Sequence, residues 1–256
     1  MLNKRINWYK IFFAKYYLSF LADKKTPSDT RQEVRFILRV LSLSRNAKIL
    51  DLACGFGRHA IELAKRKFKV TGLDLNKQFI IFAKQLAKKE KVSLNLIHSD
   101  MREIPFENEF DAVISMFTSF GYFVEEKENL KVLKGVFKAL KPKGLFLLDL
   151  MNKKMILQKY LGRTWRKVGK NYILEERLFN QKRKYHLNKI LIITPQKEIK
   201  KTFILVHLYD PFEIKKKLEK VGFRVLKFYG DYKGNKFFPE KSPRMIILAK
   251  KPFSNK

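Results

Sequence analysis

The stretch Ile49-Leu50-Asp51-Leu52-Ala53-Cys54-Gly55-Phe56-Gly57-Arg58-His59 decides the fold. It begins with an apolar run that is typical of a buried strand, and it continues into a carboxylate and a Gly-x-Gly turn. A helical pattern follows up to Arg66. A strand, a glycine turn and a helix in this order present backbone N–H groups to a nucleotide-like ligand, and glycine tolerates the positive φ of such turns.

A second predicted strand, residues 68–73, ends at Asp74, 17 residues after Gly57. Folds of this kind place an acid near that position to bind a ribose diol, and a carboxylate can accept hydrogen bonds from both hydroxyls. Asp74 is therefore the predicted ribose ligand, with a helix-capping role as the structural alternative. Because Arg58-His59-Ala60 lacks the third glycine of a pyrophosphate cradle, a ligand without a diphosphate fits better.

Three motifs carry a resemblance to a known family. The segments Asp51-x-x-Cys54-Gly55-x-Gly57, Gly72-Leu73-Asp74 and Ser99-Asp100-Met101-Arg102 resemble those of class I S-adenosylmethionine (SAM) methyltransferases. Residues 110–115 and 145–150 are similar to the fourth and fifth strands of that family, and the resemblance extends over nearly the whole chain. These motifs specify the cofactor well and the substrate poorly.

The resemblance implies that SAM is the cofactor. It implies that Asp51 binds the methionine ammonium directly or through water, that Asp100 contacts the adenine amino group, and that Met101 packs on the ring. Structural alternatives remain: Asp51 orients the turn, Asp100 begins a loop, and Cys54 is a small packed residue. The predicted cofactor-binding residues are Asp51, Ala53, Cys54, Gly55, Gly57, Asp74, Leu75, Asp100, Met101 and Met116.

Alternating strands and helices predict an α/β fold with a parallel sheet core. A period-2 pattern over residues 163–208 then predicts an antiparallel meander after the fifth strand. The expected whole is a Rossmann-like, seven-stranded mixed sheet with helices on both faces. The predicted strands of that sheet are 48–53, 68–73, 92–97, 110–116, 144–150, 223–229 and 244–250, and the helices between them are 57–67, 77–90, 126–140 and 211–222.

Two predicted helices precede the first strand. Residues 8–21 are unusually aromatic, and after a break at residues 26–29 a second helix runs from about Thr30 to Leu43. We expect an N-terminal helical cap (1–47), a SAM-binding domain (48–154 and 209–256), and an antiparallel insertion (155–208). The cap and the insertion are expected to form a lid over the acceptor pocket. The candidate acceptor-pocket residues are Tyr16, Tyr17, Ser119 and Tyr122.

Several absences narrow the chemistry. Cys54 is the only cysteine, so a cysteine adduct for C5 methylation of pyrimidines is disfavoured. No Asn-Pro-Pro-aromatic motif follows the fourth strand, which disfavours adenine amine methylation of that type. The four histidines show no metal-binding spacing, so no metal is expected. No catalytic residue is assigned, because methyl transfer depends mainly on positioning and a general base is optional.

The charge is strongly asymmetric. The chain has a net charge of +32; residues 151–256 hold 28 Lys and Arg against 8 Asp and Glu, whereas residues 49–150 hold 17 against 13. Such a balance suggests nucleic acid or an anionic membrane as a partner, although a solvated lysine surface is the plainer interpretation. The single cysteine and the lack of a signal-peptide pattern suggest a cytoplasmic protein. Nothing in the sequence indicates an oligomeric state.

The sequence thus predicts a SAM-dependent methyltransferase that acts on a heteroatom of a small-molecule acceptor, with weak nucleic-acid binding through its basic C-terminal region. Two alternatives remain open. The acceptor could be RNA or another anionic macromolecule, or the chain could bind SAM without turnover in association with nucleic acid.

Overall fold

The computed structural model describes residues 7–17, 26–158, 160–182 and 184–253. Its strands form two sheets. In chain order they are β1 (Lys48–Leu52), β2 (Lys69–Asp74), β3 (Asn95–His98), β4 (Phe110–Ser115), β5 (Leu140–Met151), β6 (Arg163–Val168), β7 (Asn171–Asn180), β8 (Tyr185–Ile193), β9 (Ile199–His207), β10 (Arg224–Tyr229) and β11 (Arg244–Lys250).

The main sheet has the strand order β10-β11-β5-β4-β1-β2-β3, which confirms the predicted seven-stranded mixed sheet. Strands β1 to β5 pair in parallel, and β11 lies antiparallel between β5 and β10. In parallel pairs the carboxyl ends of the strands meet at one edge, where ligands of open α/β sheets bind. The sheet therefore brings the ends of β1, β2 and β4 together.

Helices cover both faces of the main sheet. Side chains of β4 alternate between two hydrophobic clusters: Val113 joins the cluster on one face, and Ala112 and Ile114 join the other. The helices are α1 (Trp8–Ile11), which continues as a π-helical turn (Phe12–Tyr16), α2 (Pro27–Leu41), α3 (Arg58–Lys65), α4 (Lys77–Lys89), α5 (Glu126–Ala139), α6 (Lys153–Gln158) and α7 (Pro211–Val221).

The two N-terminal helices differ from their predicted bounds. The segment 26–29 was expected to break the chain, but it starts α2 instead. Thr26 accepts a hydrogen bond from the Asp29 backbone N–H at 3.1 Å, and the Asp29 carboxylate accepts one from the Thr26 N–H at 2.8 Å. This reciprocal cap satisfies the free donors of the first turn. The predicted helix 8–21 is α-helical only over α1 before the π-helical turn, and residues 18–21 lie outside the described part of the chain.

Two further boundaries were wrong. Strand β3 begins at Asn95 instead of residue 92, and β5 begins at Leu140 instead of residue 144. Helix α6 was not predicted; its start is fixed by Asn152, whose side chain accepts a hydrogen bond from the Lys154 N–H at 3.2 Å. These differences leave the strand ends that surround the site unchanged.

The second sheet is the antiparallel meander predicted from the period-2 pattern, with the order β6-β7-β8-β9. It joins the loop after β4, since the His207 N–H donates to the Gly121 carbonyl at 2.8 Å and the Tyr185 hydroxyl donates to the Val124 carbonyl. Helix α1 packs against β9, with the rings of Trp8 and Phe203 6.4 Å apart. Within the described ranges, no helix is long and apolar enough to cross a membrane.

Candidate functional site

A cavity of about 760 Å³ lies beyond the carboxyl ends of β1, β2 and β4. The main sheet forms its floor, and α1, the π-helical turn and β9 contribute the opposite wall. All the predicted site residues except Gly57 and Tyr16 line this cavity. The sequence motifs on three separate strands therefore converge in space.

Asp74 ends β2 and holds the glycine turn. Its Oδ2 accepts a hydrogen bond from the Gly55 N–H at 2.8 Å, and its Oδ1 accepts one from the Asn76 N–H at 2.8 Å. Burial raises the pKa of this carboxyl, while the two backbone hydrogen bonds lower it. Each oxygen keeps a further lone pair. The carboxylate is thus fixed at the cavity wall and can accept hydrogen bonds from two adjacent hydroxyls.

The two glycines of the turn serve different purposes. Gly55 has φ +56°, and no atom lies within 4 Å of the position that a Cβ would occupy, so its backbone is open to a ligand. Gly57 has φ +75°, and a Cβ there would lie 3.2 Å from the Cβ of Ala83 on α4. Gly57, predicted as a cofactor contact, instead permits close packing between the turn and α4. Gly55 and Ala53 line the cavity.

Cys54 is a buried, packed residue. A Cβ at Gly72 on the neighbouring strand β2 would lie 2.9 Å from the Cys54 Sγ, so the thiol occupies the space that this glycine leaves. Burial raises the pKa of the thiol well above its usual value. Since the thiolate is the nucleophilic form, this geometry agrees with a packing role at the cavity wall.

Asp51 and Arg58 contribute two unpaired polar atoms to the cavity region. Asp51 is 2% exposed, and its Oδ2 has no hydrogen-bond partner. Burial raises the pKa of Asp51, whereas the nearby His59 and Arg58 lower it. The Nη2 of Arg58 is also buried without a partner. One unpaired acceptor and one unpaired donor on the same wall are complementary to an ammonium and a carboxylate.

Helix α2 holds Arg58 in place. Its Glu33, 1% exposed, accepts hydrogen bonds from the Arg58 Nη1 and from the His59 Nε2, the latter at 2.9 Å. Thr30 Oγ1 accepts a second hydrogen bond from the Arg58 Nη1 at 3.2 Å. Arg58 was not among the predicted site residues, although an arginine directly after the glycine turn was a visible signal.

Asp100 follows β3 and is clamped by Arg102. The Arg102 Nε and Nη2 donate to the two Asp100 oxygens at 3.0 and 2.7 Å, and the Arg102 guanidinium lies 4.5 Å from the Phe123 ring centre. Burial raises the pKa of Asp100, but the hydrogen bonds and charge of Arg102 lower it further, below its usual value. Asp100 therefore stays ionised on the cavity wall beside Met101.

Aromatic side chains form the opposite wall. The Trp8 ring lies 5.1 Å from that of Tyr122, and its indole N–H donates to the Tyr122 carbonyl at 3.3 Å. Desolvation raises the pKa values of Tyr122 and Tyr17, so both phenols remain protonated near neutrality. Ser119 donates from Oγ to the Met116 carbonyl at 2.9 Å. Tyr16 packs against the hydrophobic cluster and does not line the cavity, because Tyr17 takes that position.

The loop after β4 has an unusual backbone. Phe117 and Thr118 have φ values of +58° and +63°, which non-glycine residues rarely adopt. The Phe117 ring lies between two guanidinium groups, 5.7 Å from that of Arg58 and 5.8 Å from that of Arg244. Arg244 was not among the predicted site residues. Among the residues that the structure describes, no group of His, Cys, Asp or Glu is arranged to hold a metal ion.

Part of the chain is similar in sequence to known methyltransferases. Residues 49–144 match the family described as a methyltransferase domain. The putative methyltransferase YqeM of Bacillus subtilis (strain 168) is 40% identical over 109 residues, 42% of this chain and 44% of that protein. A glycine/sarcosine N-methyltransferase of Aphanothece halophytica is 31% identical over 127 residues, 49% and 48% of the two chains. The chain thus spans less than half the length of either relative.

The fold extends the similarity to nearly the whole chain. The crystal structure of an S-adenosylmethionine-dependent methyltransferase from Clostridium acetobutylicum ATCC 824 superimposes with a TM-score of 0.78 and 20% sequence identity. The superposition covers 96% of this chain and 100% of that one, so the overall architecture is shared.

Proposed function

We propose that this chain is a SAM-dependent methyltransferase that transfers a methyl group from SAM to a heteroatom of a small-molecule acceptor. The match of residues 49–144 to the methyltransferase-domain family supports the proposal. The observation that carries this proposal is the pair of buried, unpaired atoms, Asp51 Oδ2 and Arg58 Nη2, in the same wall as the fixed Asp74 carboxylate. A zwitterionic amino-acid end beside a ribose diol is complementary to this set.

The proposed ligands of the cofactor lie at the carboxyl ends of β1, β2 and β3 and at the start of α3. Asp51 accepts from the ammonium group, and Arg58 donates to the carboxylate. Asp74 accepts from the ribose hydroxyls, while Asp100 and Met101 contact the adenine. When bound, SAM supplies a methyl group that is already activated by its positive sulfur. The residues of this chain have only to hold the acceptor atom in line with it and to exclude water.

The enclosed acceptor side supports a small acceptor. Ile204 and Val206 of β9 and the aromatic side chains of α1 close the cavity opposite the strand ends. Such concave, largely apolar sites suit small ligands. Tyr122 is protonated near neutrality, because desolvation raises its pKa, and so acts as a hydrogen-bond donor that orients the acceptor. We therefore assign no general base.

A transfer assay tests the proposal. The full chain is incubated with SAM labelled in the methyl group and with cell lysate that has been separated into small-molecule, protein and RNA fractions. We expect label in the small-molecule fraction, unchanged by ribonuclease and strongly reduced with the Asp74→Ala variant at a SAM concentration near the wild-type dissociation constant. Label that enters RNA and disappears with ribonuclease would support the RNA alternative instead. SAM binding without transfer to any fraction would support the non-catalytic alternative.

A further inference from the structure

The second sheet carries an exposed apolar surface that the methyl-transfer site does not use. Antiparallel pairing places Trp165 opposite Leu174, Leu174 opposite Leu191, and Ile193 opposite Ile199. Directly opposed residues lie on the same face of a sheet. We call this surface the outer patch, and it consists of Trp165, Tyr172, Leu174, Leu191, Ile193 and Ile199, drawn from all four strands.

Four of the six patch residues are exposed in the described part of the chain, and Leu174 and Ile193 are half-buried. Trp165 is 69% exposed and Ile199 is 60% exposed. On the opposite face, Ile173, Ile190 and Ile192 are buried in the hydrophobic core. Leu205 of β9, on the same face as Ile199, is buried in that core as well, so the folding of the sheet uses the inner face and one end of the outer face, but not the patch. Contiguous exposed apolar side chains, unlike isolated ones, mark interaction surfaces.

A cationic rim surrounds the patch. Lys167 is opposite Tyr172 and Lys201 is opposite Leu191, so both lie on the outer face. The Lys167 ammonium is 5.8 Å from the Tyr172 ring centre. By the same pairing Arg163, Lys189 and Glu176 also lie on the outer face, which in this region carries four cations (Arg163, Lys167, Lys189 and Lys201) against one acid. The rim therefore selects an anionic partner.

The chemistry of the patch distinguishes among anionic and neutral partners. A second copy of this chain would set lysine against lysine. A single-stranded nucleic acid needs aromatic rings on which bases stack, but the centre of the patch is aliphatic, with Leu174, Leu191 and Ile193. At an anionic bilayer, aliphatic side chains enter the acyl region, Trp and Tyr lie at the headgroup level, and lysines contact lipid phosphates.

We propose that the outer patch docks this protein on an anionic lipid surface. The docking face and the cavity use different side chains of β9, since Ile204 and Val206 line the cavity whereas Ile199 and Lys201 belong to the patch and its rim. Lipid docking therefore leaves the cavity free, and it is independent of the acceptor that the site uses.

Tryptophan fluorescence provides the direct test, because the chain contains only two tryptophans. Trp8 is 2% exposed and Trp165 is 69% exposed, so a change of environment at the patch is reported by Trp165. Vesicles of phosphatidylcholine with phosphatidylglycerol should shift the emission to the blue and co-sediment the protein at about 0.15 M salt. Pure phosphatidylcholine vesicles should bind at least tenfold more weakly.

Variants separate the patch from general charge. Leu191→Asp combined with Ile199→Asp should weaken sedimentation with anionic vesicles at least tenfold. The matched control Phe212→Asp changes a residue that is 70% exposed on α7 and should sediment as the wild type does. Trp165→Phe should lose the blue shift but keep sedimentation. Circular dichroism verifies that each variant is folded.

Three results would overturn the proposal. The first is that the wild type does not bind anionic vesicles. The second is that the control Phe212→Asp weakens binding as much as the patch variant does. The third is that single-stranded RNA changes the Trp165 emission and vesicles do not. The last result would assign the patch to nucleic acid.

Discussion

Arg244 on β11 donates from Nε to the Oδ1 of Asp149 on β5 at 2.8 Å. Asp149 is fully buried, and its Oδ2 also accepts from the Tyr232 hydroxyl at 2.6 Å and from the Phe117 N–H at 2.8 Å. Arg244 donates in turn to the Thr118 Oγ1 at 2.7 Å. One buried ion pair between neighbouring strands thus holds the loop after β4 in its positive-φ conformation beside the cavity.

Asp149→Ala should destabilise the protein by about 3–5 kcal/mol, because it leaves the Arg244 guanidinium buried without its carboxylate. The measurement is the free energy of unfolding in urea. The control is Glu107→Ala, whose exposed carboxylate pairs with Lys138 at 3.2 Å and should cost less than about 1 kcal/mol. Equal losses in the two variants would contradict the importance of this pair.

Arg58→Lys should impair recognition of the amino-acid end of the cofactor. A lysine cannot reproduce the fork that binds Glu33 and leaves Nη2 free. We expect S-adenosylhomocysteine to bind roughly tenfold or more weakly, and 5′-methylthioadenosine, which lacks the amino-acid end, to bind as in the wild type. Calorimetry with both ligands measures the difference.

Arg66→Lys, at the other end of α3, is the control and should leave both affinities unchanged. An equal loss for the two ligands in Arg58→Lys would mean that Arg58 acts on the fold of the turn. If neither ligand binds the wild type, the proposed function itself fails.

Trp8→Ala should cost about 3–5 kcal/mol, because Trp8 is buried in the main hydrophobic cluster. Thermal unfolding measures this loss, and Ile11→Ala, at a residue that is 52% exposed, should change stability little. Removal of residues 1–25 should abolish transfer, but it also removes Trp8 and Phe12 from the core, so it tests the lid and the fold together. A Trp8→Ala protein as stable as the wild type would refute this packing role.

His186 should make stability depend on pH. Burial, helped by the charge of Arg177, lowers the pKa of His186 to about 4 from 6.5. The unfolded chain then binds the proton more readily than the folded one. The contribution of neutral His186 to the free energy of unfolding is therefore fully present above pH 6.5. It should fall by roughly 3 kcal/mol as the pH is lowered from 6.5 to about 4.

Unfolding free energies measured at both pH values test this. The His186→Gln variant should lack that part of the slope, whereas His98→Gln, at an exposed histidine, should retain it. The same slope in His186→Gln as in the wild type would contradict the assignment.

The sequence predicted the main sheet, the meander and the cofactor, because their signals are local: hydrophobic periodicity, glycine turns and acids at strand ends. It predicted Asp74 through its spacing from Gly57. Arg244 and Asp149 could not be predicted as partners, because they lie 95 residues apart and only the β5–β11 pairing joins them. The π-helical turn was also not predicted, because it depends on the tertiary packing of aromatic rings, which outweighs local helix propensity.

Calorimetric titration of SAM into the wild type and the Asp74→Ala variant is the most direct test of the proposed SAM site. Asp74 is the carboxylate that links the glycine turn to the proposed ribose site. We expect the Asp74→Ala variant to lose about 1.5–3 kcal/mol of the free energy of SAM binding, the value of hydrogen bonds to a charged group. Asp111→Ala, at the opposite end of the sheet, should bind SAM as the wild type does. A folded Asp74→Ala protein that binds SAM with wild-type affinity would contradict the ribose-binding role of Asp74 and the proposed SAM site.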